Sequence, residues 1–304
     1  MIKGGDNILH KVLIVGGNGF VGGRLWQVGV NLGHTVAVLD RLEQCKIEGC
    51  AYYRCDISRY DEVEEACAAF RPNLVINVAA IADIDVAQQQ QSLAYAVNVT
   101  GAKNCARAAK KVGAGYVCFS SDAVFSGAGA PYTEQSLPSP VNYYGETKRL
   151  AEEAVLTENP NAIVLRPSLI LGLPIAKGNS FIASMLRRID ENQNVVCPVR
   201  EIRTPIDVFT LAEAIYELYE INFRGLLHLG ATESIDRYSL AKLIAQKAGR
   251  EGGVIVPLDA SDPTKAPRHE QGILDVQKAQ TILKRTKLLS IEQTVDRAIE
   301  QRKW

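Results

Sequence analysis

Continuous apolar runs and helical stretches alternate along the first 170 residues. KVLIVGG (11–17) is an apolar run ending in glycine, and a helical pattern follows it through Asn31. HTVAVLD (34–40), the weaker AYYRCD (51–56), NLVINVAA (73–80), GYVCFSS (115–121) and NAIVLRPS (161–168) are further runs of the same kind. Between them lie helical RYDEVEEACAAF, a long helical segment around 86–112, and the helix that carries NYYGETK (142–148). Runs of Val, Ile and Leu without polar alternation belong to strands buried on both faces. Alternating with helices, they predict an α/β fold with a doubly wound parallel sheet. After Ser168 the pattern loosens. LILGLPIAKGN reads as a loop, a helix follows at 180–190, and a helix at 208–220 with strand GLLHLG (225–230) rejoins the sheet. Helices near 238–248, 276–284 and 290–302, with strand GVIVP (253–257), predict a smaller lobe. The expected division is 1–168 with 206–230 returning to it, against a discontinuous substrate lobe of 169–205 and 231–304. QQQQ (88–91) reads as the exposed first turn or two of a helix.

Composition narrows the function classes. The 304 residues are 47% hydrophobic and 22% charged, with 34 basic against 34 acidic side chains, an ordinary globular balance. Net charge zero leaves no electrostatic footprint for nucleic acid or an anionic membrane. No apolar run approaches the ~20 residues that span a bilayer, and MIKGGDNILH lacks the pattern of a signal peptide. A cytoplasmic address is expected. Seven cysteines include Cys45, Cys50 and Cys55 at intervals of five, but the four histidines are scattered and no ligand set closes. Reduced thiols and no metal are the expectation. The expected partner is a small-molecule substrate, with a homodimer left open.

VGGNGFVGG links the first strand to the first helix and holds Gly16, Gly19 and Gly22. Glycines there let the turn tighten, let backbone approach a pyrophosphate, and aim a helix N-terminus at its charge. The second strand ends in Asp40, where a carboxylate would accept from the adenosine ribose hydroxyls. That acid repels a 2′-phosphate, so NAD(H) is expected over NADP(H); the adjacent Arg41 would act the other way. Asp56, ending the third strand, is placed to meet the adenine amine.

In NYYGETK, side chains at i and i+4 share a helix face. Tyr144 and Lys148 therefore stack together, while Tyr143 points about a quarter-turn away. An ammonium beside a phenol lowers its pKa and makes it a usable proton donor.

Together, GGNGFVGG, NVAAIAD, SSDAVFSG, YYGETKRLAEE and LRPSLILG resemble the extended short-chain dehydrogenase/reductase superfamily, in order and spacing along nearly the whole chain. The stretch from Phe119 to Glu153 looks most like the dTDP-4-dehydrorhamnose reductase group, and also like the non-catalytic regulatory relative found with methionine adenosyltransferase. The resemblance implies a Rossmann-type nucleotide fold in which Tyr144 is the acid/base, Lys148 holds the nicotinamide ribose, and Ser121 hydrogen-bonds the reacting oxygen. It implies that Asn98 in VNVTG steadies the lysine through water, and that Ser120 precedes the reactive serine on its strand. Gly16, Asn18, Gly19, Phe20, Val21, Gly22, Asp40, Arg41, Asp56, Ile57, Ala79, Ala80 and Pro167 fall where the family contacts its dinucleotide. Ser121, Asp122, Ala123 and Arg203 fall on the substrate side, within pocket-lining stretches 170–205 and 225–275.

Departures from the group's pattern lie on the substrate side. SDAVF carries Ala123 where the group has an aromatic, Leu169 replaces another, and IDVAQ places Gln88 where the group has an acid. RHEQGILD (268–275) has His269 for proline and Gly272 for serine. The expected activity is NAD(P)-dependent hydride transfer on a sugar, nucleotide-linked or not, or on another small carbonyl or alcohol, with rhamnose itself disfavoured. A nucleotide-sugar epimerase with retained NAD and a non-catalytic dinucleotide-binding regulatory subunit are the alternatives. Dehydration is disfavoured, because Ser121 is followed by Asp122 and Ala123 and not by Asp-Glu.

Overall fold

The computed structural model describes residues 9–175, 179–250, 254–260 and 264–300. Seven strands form one all-parallel sheet: β1 (Lys11–Val15), β2 (Thr35–Asp40), β3 (Ala51–Arg54), β4 (Leu74–Asn77), β5 (Gly115–Phe119), β6 (Ile163–Pro167) and β7 (Gly225–Leu229). Their order is β7-β6-β5-β4-β1-β2-β3. The direction of winding reverses between β1 and β4, which opens a crevice at the carboxyl ends of those strands. The helices are α1 (Phe20–Asn31), α2 (Tyr60–Phe70), α3 (Ile84–Gln89), α4 (Gln91–Tyr95), α5 (Ala102–Lys111), α6 (Tyr143–Glu158), α7 (Phe181–Asp190), α8 (Val208–Glu220), α9 (Arg237–Lys247), α10 (Gln277–Ile282) and α11 (Ile291–Ile299).

The period of two in β1 feeds two cores. Leu13 and Val15 pack with Val63, Phe70, Cys105 and Val155 of α2, α5 and α6. Val12 and Ile14 face Leu25 of α1 and Leu211 and Ile215 of α8. Covering both faces is what makes uninterrupted apolar strands stable. A third cluster joins Leu171, Ile182, Leu186, Val195, Leu240, Ile244 and Val295, from α7, α9, α11 and the short strands near them.

Three expectations are corrected. The long helix around 86–112 is broken at Gln90 (φ −116°, ψ 58°) and passes through a π-helical stretch, Ala96–Gly101, before α5. The exposed glutamines 88–91 straddle that break: Gln88 and Gln89 end α3, while Gln90 caps and Gln91 opens the short α4. The region after Leu169 also contains strands too short for periodicity to reveal: Ile170–Leu171 pairs with Ile206–Asp207, and Ile202–Arg203 lies between Ile235–Asp236 and Gln271–Gly272. The expected strand at 253–257 is observed as Ile255–Leu258, pairing with Val195–Pro198. Residues 176–178, 253 and 301–302 of the expected elements lie outside the described residues.

Candidate active site

The glycine loop leaves β1 at Gly16, whose φ of +83° suits only glycine comfortably. A Cβ at Gly16 would come 2.8 Å from the Ala79 backbone, and one at Gly22 would come 2.4 Å from the Gly16 carbonyl oxygen. The loop is thereby packed between the end of β4 and the start of α1. Gly19 caps α1 without any side-chain bond, and no acid occupies the first turn. The orphan N–H groups and the positive end of the helix dipole are left for an anion. Phe20 and Val21 are partly buried beside them.

Asn18 straps the loop after β2 onto this turn. Its side chain donates to the Gln44 carbonyl at 3.2 Å and accepts from the Lys46 N–H at 2.7 Å. Asp40 is more committed than the sequence suggests. Its Oδ2 accepts from the Asn18 N–H at 3.1 Å and its Oδ1 from the Leu42 N–H at 3.3 Å, while Arg41 is exposed. Asp56 is exposed and accepts from the Ser58 N–H and hydroxyl at 2.9 and 2.8 Å, which fastens the turn before α2. Ile57 is buried against Gly101, and Ala79 and Ala80 are partly exposed past β4.

Ser121, Tyr144 and Lys148 converge at the carboxyl end of β5. Ser121 caps the 3₁₀ turn Asp122–Val124, its hydroxyl accepting from the Ala123 N–H at 3.1 Å and donating to Asp122 Oδ1 at 3.0 Å. Asn142 caps α6 through the Gly145 N–H at 2.9 Å. Gly145 has no side chain where a Cβ would lie 2.1 Å from the Ala123 carbonyl oxygen, so α6 closes directly onto the Ser121 turn. The Tyr144 phenol meets the Ser121 side chain there. Lys148 is 4% exposed; its Nζ donates to the Phe119 carbonyl at 2.9 Å and stands 5.8 Å from the Tyr144 ring centroid. The neighbouring Tyr143 donates its N–H to Gln88 Oε1 at 3.0 Å.

The electrostatics differ from the simple expectation of a lysine-lowered phenol. Burial, reinforced by the Asp122 charge, pushes Tyr144 up to about 12, with only the Ser121 hydroxyl pulling the other way. The Lys148 ammonium is directed at a carbonyl of β5, and burial pulls it below its ordinary value. Asp122 is 6% exposed, and burial alone would raise it; His269, Arg203 and the Ser168 hydroxyl together hold it well below the usual carboxylate range.

Two further placements depart from the sequence reading. Asn98, on the π-helical stretch, spends its amide on the Ile81 backbone (2.8 and 3.2 Å) and on Thr147 Oγ1 (2.9 Å), so it meets α6 one residue before Lys148. Arg203 is 6% exposed, with its donors engaged within the protein. It donates to the carbonyls of Ile202 and Glu270 (2.9 Å each) and His269 (3.0 Å), and its Nε lies 3.5 Å from Asp122 Oδ2. Ala123 is 2% exposed and Leu169 packs on the third core cluster, so neither opens a cavity wall. Pro167 ends β6 and is buried.

Sequence reasoning missed the network behind Ser120. The Ser120 hydroxyl bonds Glu152, which takes Arg166 in a bidentate pair at 2.7 and 2.6 Å. Arg166 reaches His228 Nε2 at 3.4 Å and lies 5.0 Å over the Phe125 ring. Ser120, Glu152 and Arg166 lie far apart in the sequence, and no periodicity joins them. Among the described residues no group of three or more His, Cys, Asp or Glu is placed to hold a metal, and no helix is long and apolar enough to cross a membrane.

Comparison with known proteins extends the geometry. The model of the family described as the RmlD substrate binding domain matches residues 10–303. Methionine adenosyltransferase 2 subunit beta of Mus musculus is 29% identical over 280 residues, covering 90% of this chain and 82% of that one. The dTDP-4-dehydrorhamnose reductase of Escherichia coli (strain K12) is 29% identical over 271 residues, covering 85% and 89%. A solved dTDP-4-dehydrorhamnose reductase from Bacillus anthracis str. Ames, in complex with NADP, superposes with a TM-score of 0.85 at 26% identity, covering 97% of this chain and 100% of that one.

Proposed function

Because the chain belongs to the RmlD substrate-binding-domain family, within the extended short-chain dehydrogenase/reductases, we propose that it is an NADP(H)-dependent oxidoreductase acting on a nucleotide-linked sugar. The observation that carries this reading is the meeting of Ser121, Tyr144 and Lys148 at the end of β5, two strands from the glycine loop of β1.

The uncapped start of α1 and the close glycine turn fit a dinucleotide pyrophosphate, and Ala79 and Ala80 flank the path toward Ser121. When bound, the nicotinamide supplies or accepts the hydride. Ser121 and Tyr144 hold the oxygen of the reacting carbon, and Tyr144 gives that oxygen its proton in the reducing direction. Lys148 keeps positive charge beside the phenol as the proton leaves. Residues 1–168 and 206–230 would form the dinucleotide half, and 169–205 with 231–304 the substrate lobe.

The sequence preference for NAD over NADP is reversed. Both Asp40 oxygens already accept backbone N–H groups, and exposed Arg41 stands next to them. The relative from Bacillus anthracis was solved with NADP. Calorimetric titration with both dinucleotides tests this: NADP is expected to bind at least tenfold tighter, about 1.4 kcal/mol, and no binding of either would sink the oxidoreductase reading. With dTDP-4-dehydrorhamnose, kcat/KM is expected to fall below about 10⁴ M⁻¹s⁻¹, since the chain departs from the reductase group's pattern at Gln88, His269 and Gly272. The mouse relative is named as a subunit, which fits a second reading of this chain as a non-catalytic regulatory subunit; an intact Ser121, Tyr144 and Lys148 set speaks against it.

A further inference from the structure

The segment Pro267–Gly272 fastens both partners of the proposed catalytic pair. The Pro267 carbonyl accepts from Asn142 Nδ2 at 2.9 Å, and Asn142 caps α6 just before Tyr144. Arg268 grips Asp85 with two bonds of 2.9 Å. The next side chain, His269, is 3% exposed, and its Nε2 lies 3.5 Å from Asp122 Oδ2. Neither ring nitrogen has a hydrogen-bond partner. Room for the ring exists because residue 272 is glycine. A Cβ there would come 2.6 Å from His269 Nε2 and 2.8 Å from Asp122 Oδ2. The departures from the family pattern at 269 and 272 are therefore one change, since the imidazole occupies volume that a side chain at 272 would need.

Asp122 is where this ring exerts its effect. Its Oδ2 also accepts from the Ser168 hydroxyl at 2.8 Å and faces Arg203 Nε at 3.5 Å. Beyond Arg203 stand Glu201 and then Arg237, and Lys148 Nζ lies 5.8 Å from the Tyr144 ring centroid. The Ser121 hydroxyl has one proton, which it gives to Asp122 Oδ1 at 3.0 Å, and the same hydroxyl is the group that favours the Tyr144 phenolate. Each donor or positive charge set against Oδ2 makes Asp122 a poorer acceptor and frees that proton for the phenol side.

We propose that His269 is a positioning residue, seated by Gly272, that draws on Asp122 and so turns the Ser121 proton toward Tyr144 and the reacting oxygen. The inference rests on the oxidoreductase reading of Ser121 and Tyr144. It is tested on protein labelled with [13Cζ]tyrosine, with the Tyr144 signal assigned by Tyr144→Phe and titrated under saturating oxidised NADP. His269→Gln and Gly272→Ala should each raise the Tyr144 midpoint by about one pH unit, tenfold in proton affinity, and Asp122→Asn should lower it. In a His269→Ala background, Gly272→Ala should have a smaller effect than in the wild type, because the new Cβ then keeps its 2.8 Å contact with Asp122 Oδ2 but no longer displaces the ring. Midpoints unmoved in folded His269→Gln and Gly272→Ala proteins overturn the proposal, as does an additive effect in the double variant. NADP binding, followed by calorimetry in parallel, tests the oxidoreductase reading separately. If binding fails, titration of the cofactor-free protein still decides the role of His269.

Discussion

A phenol pushed up to about 12 gives up its proton near neutral pH only when positive charge arrives beside it. In Tyr144 the Ser121 hydroxyl already favours the phenolate, so the two side chains should act as one unit. Tyr144→Phe and Ser121→Ala are each expected to lower turnover by roughly 10² or more with dinucleotide affinity nearly unchanged. Tyr143→Phe should keep most of the activity, since one residue along the helix its side chain lies about a quarter-turn from the face that carries Tyr144 and Lys148. Steady-state kinetics with parallel binding titrations decide it, and an inactive Tyr143→Phe beside an active Tyr144→Phe would reverse the assignment. The Tyr144–Lys148 relation was legible in sequence because i, i+4 spacing is a property of any helix. The fate of Arg203 was not. A buried arginine that spends its donors on carbonyls and a surface arginine aimed at a phosphate are the same letter, and only the path of 266–272 distinguishes them. Asp40 was half legible: its position is set by the end of β2, but its engagement by two N–H groups depends on the loop that follows.

At the scale of the element, α6 depends on a missing side chain. Gly145→Ala would drive a Cβ into the Ala123 carbonyl, so α6 must move away from the Ser121 turn. Overpacking of this kind costs about 1–3 kcal/mol, and thermal unfolding should show it. The same variant should lose activity beyond that stability loss, because Ser121 and Tyr144 separate; a folded protein with wild-type kinetics would refute the close approach as a requirement. The long strands and helices were legible because four or more residues of one period leave a pattern. The two-residue strands leave none, and the break at Gln90 follows from a single residue's dihedrals, which four like residues in a row do not announce.

Across the whole molecule, β6 and β7 bring Arg166 and His228 together above Phe125, which stacks on Tyr132 at 4.0 Å. Burial pushes His228 down to about 4, with nearby Arg166 acting the same way against Glu134. The folded protein thus prefers the neutral ring. That contribution is complete above the ordinary value of 6.5 and is lost as pH falls through 4. Chemical denaturation from pH 7 to 4 should show a decline in stability that His228→Gln flattens; an identical slope in the variant would remove His228 as the cause.

The return of α8 and β7 to the sheet has a consequence for how the chain is made. Val12, Ile14, Ile76 and Val117 share an apolar face with Leu211, Ile215 and Leu227, which lie more than ninety positions beyond Val117. During synthesis the first six strands emerge with that face covered by α1 alone, and contacts of such long separation form late. A nascent chain of about 175 residues should therefore need a chaperone. The isolated fragment 1–175 is expected to bind a hydrophobic dye and to unfold without cooperativity. A sharp thermal transition and a dispersed amide spectrum from that fragment would mean that the first six strands are self-sufficient, and that the late arrivals merely cap a sheet already formed.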